Sequence, residues 1–202
     1  MICAIVLAAG SSRRMGAQKL LLPFGDKTVI SHIIDQLLAS TLNEVFVVVG
    51  NQAERVREAL SNRSVSIVTN SHYESGMLSS VRCGLRSLPE QCQAVLITLG
   101  DQPSITPELI DQMIRSFTAT EKRILVPLYN DTRGHPILFS IDFRDDILGH
   151  YDDVGLRGLL HAYPDDVFEL TVSTASILSD MDCPEDYRRE LNSFEKTNHR
   201  KP

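Results

Sequence analysis

Tryptophan is absent from the chain and cysteine is scarce. The first absence removes any tryptophan anchor from the reading. Cys3, Cys83, Cys92 and Cys183 are scattered, with no C-x-x-C and no histidine at zinc-ligand spacing. That pattern argues against a zinc site and predicts reduced thiols. Cys3 in an apolar run and Cys83 in a helical pattern read as small core residues. No apolar stretch approaches the roughly 20 residues needed to span a bilayer. There is also no basic leader followed by an apolar run and cleavage site, which predicts a cytoplasmic protein with no membrane partner. An excess of positive charge is missing too: the formal net charge is −6. Nucleic-acid binding needs a basic face, so no nucleic-acid partner is predicted. Internal repeats, low-complexity segments and interdomain linkers are lacking. So are the G-x-G-x-x-G fingerprint, the Gly-Lys-Ser/Thr of a Walker A motif and an obvious Ser/His/Asp set. A dinucleotide dehydrogenase and a P-loop NTPase are therefore disfavoured.

What is present is an ordinary globular composition, 43% apolar and 23% charged over 202 residues. That predicts a single domain over 1–193 with a polar, frayed tail over 194–202. Apolar runs at Ile2–Leu7, Glu44–Val49 and Ala94–Leu99 read as buried parallel strands. Ser64–Thr69, Ile124–Leu128, Ile137–Phe139 and Val167–Leu170 read as further strands. Helices are predicted from a Thr28 cap to Ala39, with Val29, Ile30, Ile33, Ile34, Leu37 and Leu38 as its inward stripe, and over Gln52–Leu60 and Thr106–Phe117. Ile141–Leu148 reads as a short helix. The alternation of strand and helix predicts a three-layer α/β/α fold with a Rossmann-like, mostly parallel sheet.

Residues 4–19, AIVLAAGSSRRMGAQK, organise the rest. A strand passes into small residues, where exposed backbone N–H groups form an anion-binding concavity and Gly10 is free to take positive φ. Arg13, Arg14 and Lys19 add three cations. Arginine forks onto phosphate oxygens and lysine supplies a point charge, as a triphosphate requires. Three later segments stand beyond strand ends, where open α/β sheets bind ligands. NSHYESGMLSSVRCG at 70–84 puts Asn70, Gly76, Ser79 and Ser80 on that rim. Gly100-Asp101-Gln102-Pro103 follows a buried strand. Thr106-Pro107-Glu108 supplies the next helix cap and leaves Asp101 free for a metal. In Ser179-Asp180-Met181-Asp182-Cys183-Pro184-Glu185-Asp186-Tyr187, Asp182 followed by Pro184-Glu185 reads as the cap of a last helix. Asp153 reads as an N-cap to a helix from Gly155. His135 in Arg133-Gly134-His135-Pro136 reads as a hydrogen-bonded turn histidine.

LAAGSSRRMG followed by Lys19 resembles the signature L-A-A/G-G-x-S-x-R-M-G-x-x-K of nucleotidyltransferases that activate small molecules with NTPs. Within that group the chain is most similar to the molybdenum cofactor (molybdopterin) cytidylyltransferases of the MobA-like NTP transferase family. The similarity runs to about Leu191. It includes GDQP, the R-G-H-P turn, Asp153-Val154-Gly155-Leu156-Arg157 and a segment similar to D-I-D-T-P-E-D-Y, from which this chain departs at Met181 and Cys183. The resemblance implies transfer of CMP from CTP to the phosphate of molybdenum-bearing molybdopterin. It implies nucleotide contacts at Leu7, Ala8, Ala9, Gly10, Ser12, Arg13, Asn70, Gly76, Ser79 and Ser80. Catalytic roles fall on Arg14, Lys19 and Asp101, acceptor contacts on Gly134, His135, Pro136 and Asp153, and metal ligation on Asp101 and Asp182. The ion would be Mg²⁺, with Mn²⁺ as the alternative. Guanylyltransferases of the group carry Leu-Ala-Gly-Gly where this chain has Leu7-Ala8-Ala9-Gly10, which points to CTP rather than GTP. A molybdenum hydroxylase or its chaperone is the implied protein partner. Two other readings stay open: a nucleotidyltransferase for another phosphorylated acceptor, of the guanylyl or methylerythritol phosphate type, and a non-catalytic factor that delivers cofactor to a hydroxylase.

Overall fold

The computed structural model describes residues 1–12 and 15–198. Strand β1 (Ile2–Ala8) lies mid-sheet, flanked in parallel by β4 (Glu44–Val49) and β6 (Ala94–Leu99). β5 (Ser66–Thr69) continues the parallel run beyond β4. On the other side β9 (Ile137–Ser140) enters antiparallel between β6 and β7 (Ile124–Tyr129), and β10 (Val167–Thr171) pairs in parallel with β7 at the edge. Two short pairings complete the strands: β2 (Pro23–Phe24) with β3 (Lys27–Thr28), and β8 (Thr132–Arg133) on β7. The sheet is mostly parallel and Rossmann-like, as the strand–helix alternation predicts.

Helices cover both faces. Ala4, Val6 and Ala8 of β1 point to a core closed by α1 (Val29–Leu38), α2 (Ala53–Ala59), α4 (Pro107–Ala119) and α7 (Pro184–Asn198). Cys3 and Ile5 point to the opposite core, under α3 (Met77–Arg86), α5 (Arg144–Gly149) and α6 (Arg157–Ala162). This is the period-two alternation of a strand buried on both faces. All four cysteines are free. Among the described residues no helix is long and apolar enough to cross a membrane.

Local signals explain most of the ends. Thr28 caps α1 by accepting the Ser31 N–H at 3.3 Å, and Thr106 caps α4 with Pro107 at its first position. Leu38, expected on the inward stripe of α1, is 41% exposed, because the helix ends there and the stripe closes at Leu37. Asp153 does not cap α6, which starts at Arg157 with no side-chain cap; Asp153 itself is exposed. The chain turns at Tyr151 (φ 77°), just before Asp153, and at Gly155 (φ 64°), between Asp153 and the helix. Ahead of α7, Asp186 reaches back and accepts the N–H groups of Asp182 at 3.1 Å and Cys183 at 3.0 Å. The packed body also extends past the predicted 193 boundary: Phe194 stacks on Phe24 with centroids 4.7 Å apart.

His32 on α1 sits between Phe24 and Phe194 and donates from Nε2 to the Pro103 carbonyl at 3.1 Å. Burial pushes its pKa down, and the Pro103 carbonyl only partly opposes this. Burial lowers His135 in the same way. Both are neutral in the fold but protonate more readily when unfolded. Their contribution is complete above the unfolded value of about 6.5 and is lost as pH falls below it. The urea midpoint is therefore expected to drop between pH 7 and pH 5, and His32→Gln is expected to flatten part of that slope. An unchanged slope in the variant would remove His32 from the effect.

Candidate active site

Beyond the carboxyl ends of β1 and β6 opens a cavity of about 620 Å³. Leu7, Ala9, Gly10 and Ser12 line one wall, Gly76 and Ser80 a second, and Lys19, Asp101, Asp180 and Asp182 a third. The strand ends approach closely. Gly100 N–H donates to Leu7 O at 3.0 Å, and a Cβ on Gly100 would stand 2.9 Å from that oxygen. Glycine is what lets β6 turn there.

The first loop is braced from inside by Gln18, a buried residue. Its amide donates to Gly10 O at 3.4 Å and Asn51 O at 3.2 Å, and its carbonyl accepts from Ser12 Oγ at 2.6 Å. Ser12, at φ 49°, also accepts the Lys19 N–H at 3.2 Å. These bonds hold the small-residue wall open without filling it. Ala8 is fully buried beneath the loop rather than on the cavity wall. Arg13 and Arg14 lie outside the described residues.

Lys19 opens a short helical turn whose Leu20 is buried, so the backbone is anchored while the side chain crosses the cavity. Its ammonium pairs with Asp101, donates to Met181 O at 2.9 Å and reaches Asp182 Oδ1 at 3.4 Å. Three protons meet three acceptors. The sequence thus brings together residues more than 160 positions apart.

Asp101 is tied to the facing segment through its own carbonyl, which accepts the Met181 N–H at 3.1 Å. The following residues are tied too. Gln102 Nε2 donates to Asp180 Oδ1 at 2.6 Å and to Ile177 O at 3.3 Å; Pro103 O takes the His32 bond; Ser104 Oγ donates to the buried Glu190 of α7. Burial pushes the Asp180 carboxyl up, and the charges of Asp101 and Asp182 add to that, against the Gln102 bond and Lys19. Asp186, holding the 182–183 backbone, is held down to about 2, first by the Cys183 thiol bond and then by the Cys183 N–H.

The 70–84 segment divides its work. Asn70 is buried and fully engaged: Nδ2 donates to Ser79 Oγ at 2.9 Å and Ser80 Oγ at 3.0 Å, and Oδ1 accepts the His72 N–H at 2.9 Å. Asn70 and Ser79 are the frame; Gly76 and Ser80 face the cavity. Gly76, at φ 99°, starts α3. Tyr73 lies so close to Gly50 that a Cβ there would be 2.6 Å from the ring, and with Met15 and the 58% exposed Met77 it gives the cavity an apolar side.

Gly134, His135, Pro136 and Asp153 do not line this cavity. His135 N–H donates to Ile177 O at 3.0 Å. Its ring is near enough to feel the Asp101 charge, which raises its pKa against burial, while Arg157 lowers it. The His135 turn thus borders the carboxylates from the far side of the 177–182 segment. Gln18, Gln102, Asp180 and Tyr73 carry no role in the sequence reading. All four lie inside the quoted segments, Gln102 and Asp180 at spacings of one and two from the candidate metal carboxylates, but residue type alone assigns them no role.

The oxygen donors suit a hard divalent ion rather than zinc or copper. The Lys19 ammonium between Asp101 and Asp182 marks the place as one where positive charge is stabilised. Among the described residues no three His, Cys, Asp or Glu side chains form a group able to hold an ion. Asp101 and Asp182 are the carboxylates that Lys19 bridges, with Asp180 on the same wall.

The model of the MobA-like NTP transferase domain matches residues 4–167. The chain belongs to this family. It is a nucleotidyltransferase. Over 187 residues it is 28% identical to the molybdenum cofactor cytidylyltransferase of Escherichia coli K12, covering 92% of this chain and 93% of that one. It is 34% identical over 151 residues to a probable molybdenum cofactor guanylyltransferase of Pyrococcus horikoshii, covering 73% of each. Among solved structures, Rv0371c of Mycobacterium tuberculosis in complex with manganese superposes with a TM-score of 0.80 at 31% identity, over 95% of this chain and 98% of that one.

Proposed function

We propose that this transferase moves CMP from CTP to the phosphate of molybdenum-bearing molybdopterin, giving molybdopterin cytosine dinucleotide and pyrophosphate. The observation that carries the reading is the Lys19 ammonium, set between Asp101 and Asp182 at the mouth of the Ala9–Ser12 wall. The triphosphate lies along that wall, with backbone N–H groups and Lys19 as donors and Arg14 added from the sequence pattern. Asp101 and Asp182 hold a divalent ion, Mg²⁺ or Mn²⁺. A bound ion of this kind supplies charge neutralisation for phosphate oxygens, and substrate and water complete its shell.

In the transfer, an oxygen of the acceptor phosphate bonds to the α-phosphorus as the bridging bond to the β-phosphate breaks, and the electron pair leaves with pyrophosphate. Lys19 and Arg14 stabilise the charge that builds on the α-phosphate and leaving group; positioning and electrostatics do the rest. A phosphomonoester is largely ionised near neutral pH, with a second pKa of about 6, so no protein base is required. The apolar side formed by Tyr73, Met77 and Met15 suits a flat heterocycle.

CTP is favoured over GTP on the Ala9 pattern; of the two relatives above, one is named a cytidylyltransferase and the other a guanylyltransferase. Pyrophosphate release is to be measured with CTP, GTP, ATP and UTP, each with divalent ion and molybdenum-loaded molybdopterin. Release from CTP that depends on the pterin is the expected outcome. Equal turnover of GTP would overturn the base assignment, and pterin-independent release would overturn the acceptor.

A further inference from the structure

We infer that Gln102 is a positioning residue that fixes the separation of the two candidate metal carboxylates. The inference rests on the reading that Asp101 and Asp182 hold a divalent ion. Gln102 is adjacent to the first carboxylate and 1% exposed. Its amide reaches across to the segment bearing the second, at Asp180 Oδ1 (2.6 Å) and Ile177 O (3.3 Å). With Met181 N–H on Asp101 O, three bonds hang residues 177–182 from the dipeptide 101–102. Asp182 is the next residue along, and its place opposite Asp101 follows from those bonds.

The other end of the same amide supports a role beyond packing. Gln102 Oε1 is buried with no hydrogen-bond partner among the described residues. An unpartnered buried carbonyl is a cost that leucine or methionine at this position would avoid. The amide brings that cost along with its two donor bonds, and both donor bonds go to the segment that presents Asp182. Ile177 O is shared with His135 N–H at 3.0 Å. Gln102 therefore sets the His135 turn and the carboxylate segment against one oxygen. Partners that orient metal ligands without touching the ion typically matter 10–100-fold in affinity.

The test is Mn²⁺ binding to the whole protein without nucleotide or acceptor, followed by electron paramagnetic resonance. Gln102→Leu is expected to weaken Mn²⁺ binding about 10–100-fold while the melting temperature changes little, since the orphaned carbonyl leaves with the amide. Asp180→Ala, which removes the main anchor from the other side, is expected to weaken it similarly. The double variant is expected to be no weaker than the more affected single one. Unchanged affinity in a folded Gln102→Leu protein would overturn the inference, and so would losses that simply add. If Gln102→Leu does not fold, Gln102→Met, closer to glutamine in shape, decides: weakened binding upholds the inference and unchanged affinity overturns it, whereas Asp180→Ala alone also removes a cavity carboxylate. Wild-type protein that binds no Mn²⁺ would overturn the ion reading of the proposed function and this inference with it. Wild-type binding with unaffected variants sinks this inference alone. Normal Mn²⁺ results without CTP turnover would sink only the substrate assignment.

Discussion

Lys19→Met is expected to lower kcat for pyrophosphate release from CTP by about 10²–10³-fold, equivalent to roughly 3–4 kcal/mol of transition-state stabilisation. The lysine is the one described cation on the cavity wall, and its ammonium lies where phosphate charge is proposed to build. The same substitution has a second readout. In the free protein Lys19 neutralises Asp101 and Asp182. Without it two carboxylates face each other in a site where Asp101 is only 17% exposed. Removing one partner of a mostly buried pair costs about 3 kcal/mol, the low end being apt because Asp182 is half-exposed. That corresponds to a fall of roughly 6–12 °C in Tm for a chain of this size. Mn²⁺ is then expected to raise the Tm of the variant more than that of the wild type, because the ion replaces a missing positive charge. Equal Mn²⁺ shifts in the two proteins, seen by calorimetry, would separate the lysine from the carboxylate site.

Gly134→Ala is expected to be among the most destabilising single-methyl changes in the molecule. A Cβ at Gly134 would stand 2.3 Å from Ile177 O and 2.8 Å from its carbonyl carbon. Both are backbone atoms, and the oxygen already holds His135 N–H and Gln102. No rotamer change relieves the clash, so the two segments must separate. Overpacking of this kind costs about 3 kcal/mol, or roughly 6–12 °C in Tm. Gly158 makes a useful contrast. Its Cβ would meet Tyr151 at the same 2.3 Å, but the nearest atoms are side-chain atoms of Tyr151 and Val154. Val154 is exposed, and Gly158→Ala is expected to cost about 1 kcal/mol. Thermal melts of the two variants check the order; a Gly134→Ala protein melting within 2–3 °C of the wild type, well inside the shift of about 6–12 °C derived above, would contradict it.

Much of the fold is legible in the chain because it depends on local signals. β1, β4 and β6 are continuous apolar runs, Thr28 and Thr106 are unambiguous caps, and the strand–helix rhythm dictates parallel pairing. The direction of β9 is not legible. Ile137–Ser140 carries the same apolar character whichever way it pairs, and only its neighbours β6 and β7 decide. One predicted cap, Asp153, fails because the chain turns at positive φ at Gly155 before α6 starts. In the candidate site, Lys19, Asp101 and Asp182 stand out by motif. Gln18 and Gln102 do not, since a buried glutamine has the same sequence appearance as a surface one until its partners, 33 and 75–78 residues away, are in place.

The stitching of residues 101–104 to the last stretch of the chain bears on the order in which a newly made molecule matures. Asp101, Gln102, Pro103 and Ser104 meet Met181, Asp180, His32 beneath Phe194, and Glu190. A nascent chain that has extruded its first 170 residues holds nearly the whole sheet and the phosphate-facing wall, yet lacks the carboxylate opposite Asp101. Domains fold largely as units, so the candidate site is complete only once the segment bearing Asp182 and the helix after it are available to pack against residues 101–104.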